Sequence, residues 1–528
     1  MEAVAARHRA RRLGLHLVLL LATAGCGPLA SVEFVHGVAS GDPTADSVIL
    51  WTRATPVDEG TRTPRQPRAV HWLVATDPQL HNTVAQGEYT PDASRDYTVK
   101  VDVTGLQPGT TYYYRFDETE IAGNHSPIGR TRTLPRADAQ RLRLAVVACT
   151  AHAAGYFNSY AHIAQRADLD AVVHLGDYIY EYGHTRFDIP FGRTPQPLHD
   201  AVSLDDYRQR YAQYRSDPDL QQAHRQHPFI AMWDDHEFAD NFWNGGARNH
   251  RSRDGSFAAR RLVAGRAYAE WMPIRESRTT RGIPSLYRSL SFGTLLDLVL
   301  LDARIEDRDE ASPETRDDPS TSPIGETQER WLMNELSDSQ ARGTRWRFMM
   351  SQIIFGQIEV PDFPMHVVLW EGYPRVRTRI LDHLVDEDIG DVVVVSSDLH
   401  AAAAIELARD PFSPDYDPES GEGVIAAELV ANSMTAPHAQ DFVDADGPAV
   451  VAATHPHFKY LDTENRGYLL IDVDAERVQG EWYASETIRR RRVEHHLDRA
   501  FRIRAGDPRL EPVEAASAPR AEGPPLAP

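Results

Sequence analysis

The hydrophobic pattern of the chain changes character near residue 140. Between residues 31 and 135 the apolar positions fall in short alternating or β-branched runs (SVILWTR, AVHWLVA, YTVKVDV, TTYYYRF) separated by Pro, Gly and Asp clusters. That spacing predicts a small β-sandwich of fibronectin III-like type. LPRADAQ, residues 134–140, reads as a linker. Over residues 141–505 apolar strands alternate with longer helical stretches, as in an α/β domain. Tyr207, Tyr211 and Tyr214 share one face of a helical segment across 204–228, and FAARRLVAGRAYAEWM forms another helix, stopped by Pro273. A charged surface loop spans 307–322, and GETQERWLMNELSD starts a further helix with Trp331, Leu332 and Leu336 inward. The Pro-, Ala- and Glu-rich residues 506–528 read as a disordered tail.

Four apolar runs of the α/β region end in chemistry. RLRLAVVA stops at Cys149, DAVVHL at GDYIYE (Asp177, Tyr180), PFIAM at WDDHE (Asp235, His236) and DVVVV at SSDLH (Asp398, His400). In α/β sheets the ligand crevice lies beyond the carboxyl ends of the strands, so these distant segments can converge there. A thiol, a phenol and an imidazole beside carboxylates favour iron, most plausibly ferric; Asp235, Asp398 and a shared Asp177 suit a harder second ion such as calcium or magnesium. Two such cations would activate water and polarise a phosphoryl group, with His236 placed to donate to the phosphate or the departing alkoxide.

Composition narrows the setting. The 528 residues carry 41% hydrophobic and 25% charged residues and a net charge of −21. This fits a multidomain globular protein without a nucleic-acid surface, whose anionic substrate must be attracted by bound cations. Residues 1–30 read as an export signal, in which Arg11 and Arg12 precede LGLHLVLLLATAG. Ala24-Gly25-Cys26 resembles a lipoprotein cleavage site, with Thr23 where an aliphatic residue is usual. The expected location is therefore periplasmic or cell-envelope anchored, with membrane contact only through a lipid on Cys26. Cys149 would then be the single thiol of the mature chain, out of two cysteines in all.

From about Phe34 to Trp482 the chain resembles the alkaline phosphatase D family of metallophosphoesterases, relatives of the purple acid phosphatases. The matching segments are FVHGVASGDPTADSVILWTR, GDYIYEYG, WDDHEFADN, LLDARIEDRD, GETQERWL, WEGYPRVR and SSDLH. The resemblance implies an αββα sandwich core behind the β-sandwich domain, with ferric iron and one or two calcium ions. By motif position, Cys149, Asp177, Tyr180 and His400 would hold iron, and Asp177, Asp235 and Asp398 would hold calcium. Asn241 would face the site, and Arg304 would bind phosphate or pack between elements. Val147-Ala148-Cys149-Thr150 stands where the family commonly has Ser-Cys-Gln, and Ser397 where Gly is usual; neither removes a ligand. The expected function is an exported, metal-dependent phosphatase or phosphodiesterase acting by attack of a metal-bound hydroxide on a phosphate ester. The alternative is a non-catalytic surface binding protein with a decayed phosphoesterase domain.

Overall fold

Alternation along the strand Arg141–Val147 shows how the layers arise. Leu142, Leu144 and Val146 enter one apolar cluster while Ala145 and Val147 enter another, so both faces of the strand are buried. In the computed structural model, which describes residues 31–57, 69–119, 121, 123–136, 139–184, 193–276, 279–358, 369–437, 447–520 and 523–528, this strand lies near the centre of a ten-stranded sheet. It pairs in parallel with Ala171–His174, which pairs in parallel with Pro228–Ala231. A seven-stranded sheet carries Trp346–Ile353 and Val392–Ser397 as parallel neighbours.

The two sheets face each other across a core that joins Leu144, Val146 and Val173 to Phe348, Val393 and Val395. On the outer face of the ten-stranded sheet, Val147 and Val172 share a cluster with Tyr207, Tyr211 and Tyr214 of Leu204–Arg215 and Trp271 of Phe257–Trp271. On the outer face of the other sheet, Met349 and Val394 pack with Leu332 and Leu336 of Gly325–Ala341 and Ile380 of Pro374–Asp386. The result is a four-layer αββα sandwich. Among the described residues no helix is long and apolar enough to cross a membrane; residues 1–30, with the export signal and Cys26, lie outside the described residues.

The β-rich N-terminal region has its own core, in which Val48, Leu50, Val99 and Val103 face Val70, Val74, Tyr112, Tyr114 and Phe116. One of its two sheets is continuous with the ten-stranded sheet, because Val38–Gly41 pairs in parallel with Pro228–Ala231. The helical expectation across 204–228 resolves into Leu204–Arg215 and Pro218–Gln226, separated where Asp217 caps the second helix.

The expected disordered tail needs correction. Asp507–Val513 adds an edge strand to the ten-stranded sheet, and the chain then runs back across the molecule. Ser517 donates its backbone N–H to Glu481, Arg520 forks onto the buried Asp170 (2.9 and 2.5 Å), and Ala527 exchanges two bonds with the Gln226 side chain (2.8 and 3.0 Å). Tyr113 of the N-terminal region donates to Pro525 O at 2.6 Å, so the last residues strap the two regions together.

Candidate metal centre

Three loops of the ten-stranded sheet and three of the seven-stranded sheet meet beyond the strand ends. The loop after Arg141–Val147 is tied to the Gly-Asp turn by Cys149 N donating to Gly176 O (3.2 Å) and Thr150 N to Asp177 O (2.8 Å). Residues from the other sheet close over it: Ala436 N and Ser433 Oγ both donate to Cys149 O (3.2 and 3.1 Å). Gly176 has a φ of 113°, and a Cβ there would sit 2.4 Å from Asp234 N, so only glycine lets the two acidic loops touch. Cys149, Asp177, Asn241, Asp398 and His400 all adopt left-handed backbone, with φ between 51° and 69°. Such conformations cost about 1–3 kcal/mol each in non-glycine residues and concentrate at functional sites.

Asp177 is the hub. Its carboxylate lies within 4.8 Å of ligand atoms of Cys149 and His400, of Asp235 and His236, and of Asp234, Asp235 and Asp398. The Tyr180 hydroxyl donates to Asp177 Oδ2 at 2.8 Å and lies 3.1 Å from His400 Nε2, completing a soft group of thiol, phenol, carboxylate and imidazole. Tyr180 arrives there through an irregular turn that follows the left-handed Asp177. His400 Nδ1 donates to Pro437 O at 2.6 Å, which fixes the tautomer whose Nε2 lone pair faces the cradle.

The hard group is crowded with negative charge. Burial, reinforced by Asp235 and Asp398 against the pull of His236, raises Asp177 to about 7, and burial raises Asp398 to about 6 against the pull of Arg304. Burial and neighbouring carboxylates likewise push the Cys149 thiol and the Tyr180 phenol well above their ordinary values. Asp235 Oδ1 and Asp234 Oδ2 are buried without a hydrogen-bond partner. Asp235 is the exception, since Arg304 and His236 outweigh burial and hold it below its ordinary value; for Cys149, Asp177, Tyr180 and Asp398 the protein alone disfavours the charged form, and multivalent cations are what would reverse the balance. Donor chemistry and orphaned oxygens both fit metal ions.

A pH dependence follows. Near neutrality the metal-free site holds its protons on Cys149 and Tyr180, and Asp177 is half-protonated near pH 7. Cation uptake must expel them, so affinity is expected to strengthen as pH rises, by roughly tenfold per unit for each proton released. Calorimetric titration of chelated protein in buffers of different ionisation enthalpy counts those protons; a value of zero would contradict the site.

Arg304 is fully buried, and its guanidinium lies 2.5 Å from Asp234, 2.7 Å from Asp398 and 3.8 Å from Asp235. Its guanidinium is engaged by these three carboxylates. Asn241 donates its backbone N–H to Asp235 Oδ2 at 2.5 Å.

Sequence reasoning missed the buried acids that hold this arrangement. Glu237 gathers four backbone N–H groups, those of Asp177 (3.0 Å), Tyr178, Ile179 (3.3 Å) and Asp234 (2.6 Å), and so binds the two acidic loops to one carboxylate. Glu181 accepts from His236 Nδ1 at 2.7 Å. Both stand inside motifs already singled out, GDYIYE and WDDHE, and that adjacency is the signal that could have found them.

Known proteins resemble the chain over most of its length. The profile of the PhoD-like phosphatase family matches residues 144–482, and that of its N-terminal domain matches 22–135. The chain is 35% identical to alkaline phosphatase D of Bacillus subtilis (strain 168) over 459 residues, covering 83% of this chain and 75% of the relative. Among solved structures, that of PhoD superposes with a TM-score of 0.81 at 30% identity, covering 93% of this chain and 94% of the other. A purple acid phosphatase from yellow lupin (Lupinus luteus) seeds matches at 0.58 and 11% identity, over 90% and 74%, and shares the fold.

Proposed function

The chain belongs to the PhoD-like phosphatase family and is a phosphoric ester hydrolase; within that class we propose an exported enzyme that depends on a ferric ion and one or two calcium ions. The observation that carries the proposal is Asp177, whose carboxylate belongs at once to the soft donor group and to the hard one. Cys149, Asp177, Tyr180 and His400 would hold iron; Asp177, Asp235 and Asp398 would hold calcium. Bound there, the cations supply Lewis-acid polarisation of a phosphoryl group and acidification of water at neutral pH.

The side chains of the protein do the rest. His236 has a ring nitrogen within 4.8 Å of the Asp177 and Asp235 ligand oxygens, so a phosphoryl group drawn to the cradle meets a hydrogen-bond donor there. Burial alone would lower its basicity, but Glu181, Asp177 and Asp235 outweigh burial and raise it well above the ordinary histidine value. With Nδ1 held by Glu181, the ring is placed to donate to a phosphate oxygen or to the departing alkoxide. Asn241 would line the same mouth, and Arg304 neutralises part of the acidic cluster from beneath. A decayed binding module would lack donors, whereas every motif donor is present in this chain. The signal-like residues 1–30 support export, with Cys26 as the anchor if it is lipidated.

A paired panel of phosphomonoesters and phosphodiesters, assayed with added calcium and with chelator, tests the reading. Hydrolysis of at least one class, lost on chelation and restored by metal, is expected. Turnover indifferent to exhaustive chelation would refute the metal dependence.

A further inference from the structure

We propose that Glu181 is the positioning residue of His236 in phosphate-ester hydrolysis, holding the imidazole so that its second nitrogen faces the reacting group. The proposal rests on the reading of His236 given above. Glu181 has no exposed surface. Its Oε2 accepts His236 Nδ1 at 2.7 Å, while Oε1 accepts Asp240 N (2.8 Å) and Asn249 Nδ2 (2.6 Å). The carboxylate is therefore itself fixed by two donors before it orients the ring.

The ring is further confined by packing. It stacks on Tyr180 with centroids 4.2 Å apart at 30°, and meets Tyr182 edge-on at 4.9 Å. Flipping the imidazole would break the Glu181 bond and leave a buried carboxylate oxygen unpaired. Nδ1 being occupied, Nε2 is the nitrogen left for substrate. The same acid-to-imidazole logic orients histidines in other hydrolytic sites, where the carboxylate fixes ring orientation without reacting.

Glu181 also anchors the loop carrying Asp240 and Asn249, so the competing explanation is a purely structural role. A double-mutant cycle separates the two. Parent, Glu181→Gln, His236→Gln and the double variant, each loaded with iron and calcium, are assayed on nitrophenyl phosphate and bis(nitrophenyl) phosphate, with metal content and thermal midpoint recorded. Glu181→Gln should lower kcat by about 10–100-fold, the usual cost of losing such a supporting partner. KM, metal content and midpoint should stay close to those of the parent. In the His236→Gln background the same substitution should change kcat less than about twofold, because coupled residues are not additive. An equal loss in both backgrounds, or parental kcat in Glu181→Gln, would overturn the proposal. If Glu181→Gln does not fold, Asn249→Ala, which frees Glu181 from one of its donors, takes its place in the cycle with the same coupling expected. A loaded parent inactive on both esters would sink the phosphoesterase reading and this inference with it. An active parent without coupling sinks the inference alone.

Discussion

Asp177→Asn is expected to lower kcat by at least ~10³-fold, equivalent to about 4 kcal/mol of transition-state stabilisation, with the fold intact. The substitution preserves shape but removes the one charge shared by the soft and hard donor groups. An amide cannot serve two cations as a carboxylate does, so both ions are weakened at once. The metal-free protein should not suffer. Burial and the Asp235 and Asp398 charges raise the folded-state pKa of Asp177 to about 7, above its unfolded value. A raised carboxylate contributes stability that is fully present below its unfolded pKa and is lost as pH climbs through the folded one. At pH 8 the charged Asp177 is thus a cost to the chelated fold, and Asn should leave its thermal midpoint equal or higher. Near-parental turnover in this variant would refute the site.

Glu237→Gln should cost stability and metal together. The carboxylate accepts from four backbone N–H groups in two loops, and a glutamine replaces one accepting oxygen with a donor aimed at donors. Two orphaned buried amides correspond to roughly 2–6 kcal/mol. Because those amides fix the left-handed turn that carries Asp177, the loss should appear as a lower thermal midpoint of the loaded protein and weaker retention of metal during dialysis against chelator. A variant that melts and retains metal like the parent would show that the two loops need no common anchor.

The strand-end donors were legible because a strand buried on both faces announces itself as an unbroken apolar run, and its end is where polar chemistry must begin. All four runs form the expected strands, and Cys149, Asp177, Tyr180, Asp235, His236, Asp398 and His400 are brought together from two sheets. What the sequence concealed depends on hydrogen bonds to backbone. Glu237 recognises amide N–H groups, which every residue but proline carries, so no pattern marks its partners. The burial of Arg304 is likewise not encoded in its local sequence. The tail misled for a related reason. Its composition is that of a disordered segment, yet its attachment runs through backbone carbonyls and a few side chains such as Arg520, which contribute nothing to a hydrophobic pattern. The N-terminal sandwich was readable as strands but not as part of the larger sheet, since nothing in VASG at residues 38–41 marks its pairing with the distant Pro228–Ala231.

The central claim is that one cradle holds a ferric ion beside a calcium ion. Metal analysis and visible absorption of the purified protein, alongside Tyr180→Phe, address it directly. One iron per chain is expected, with a phenolate-to-iron charge-transfer band that disappears in Tyr180→Phe. A parent that hydrolyses phosphate esters while containing no iron and showing no such band would contradict the account.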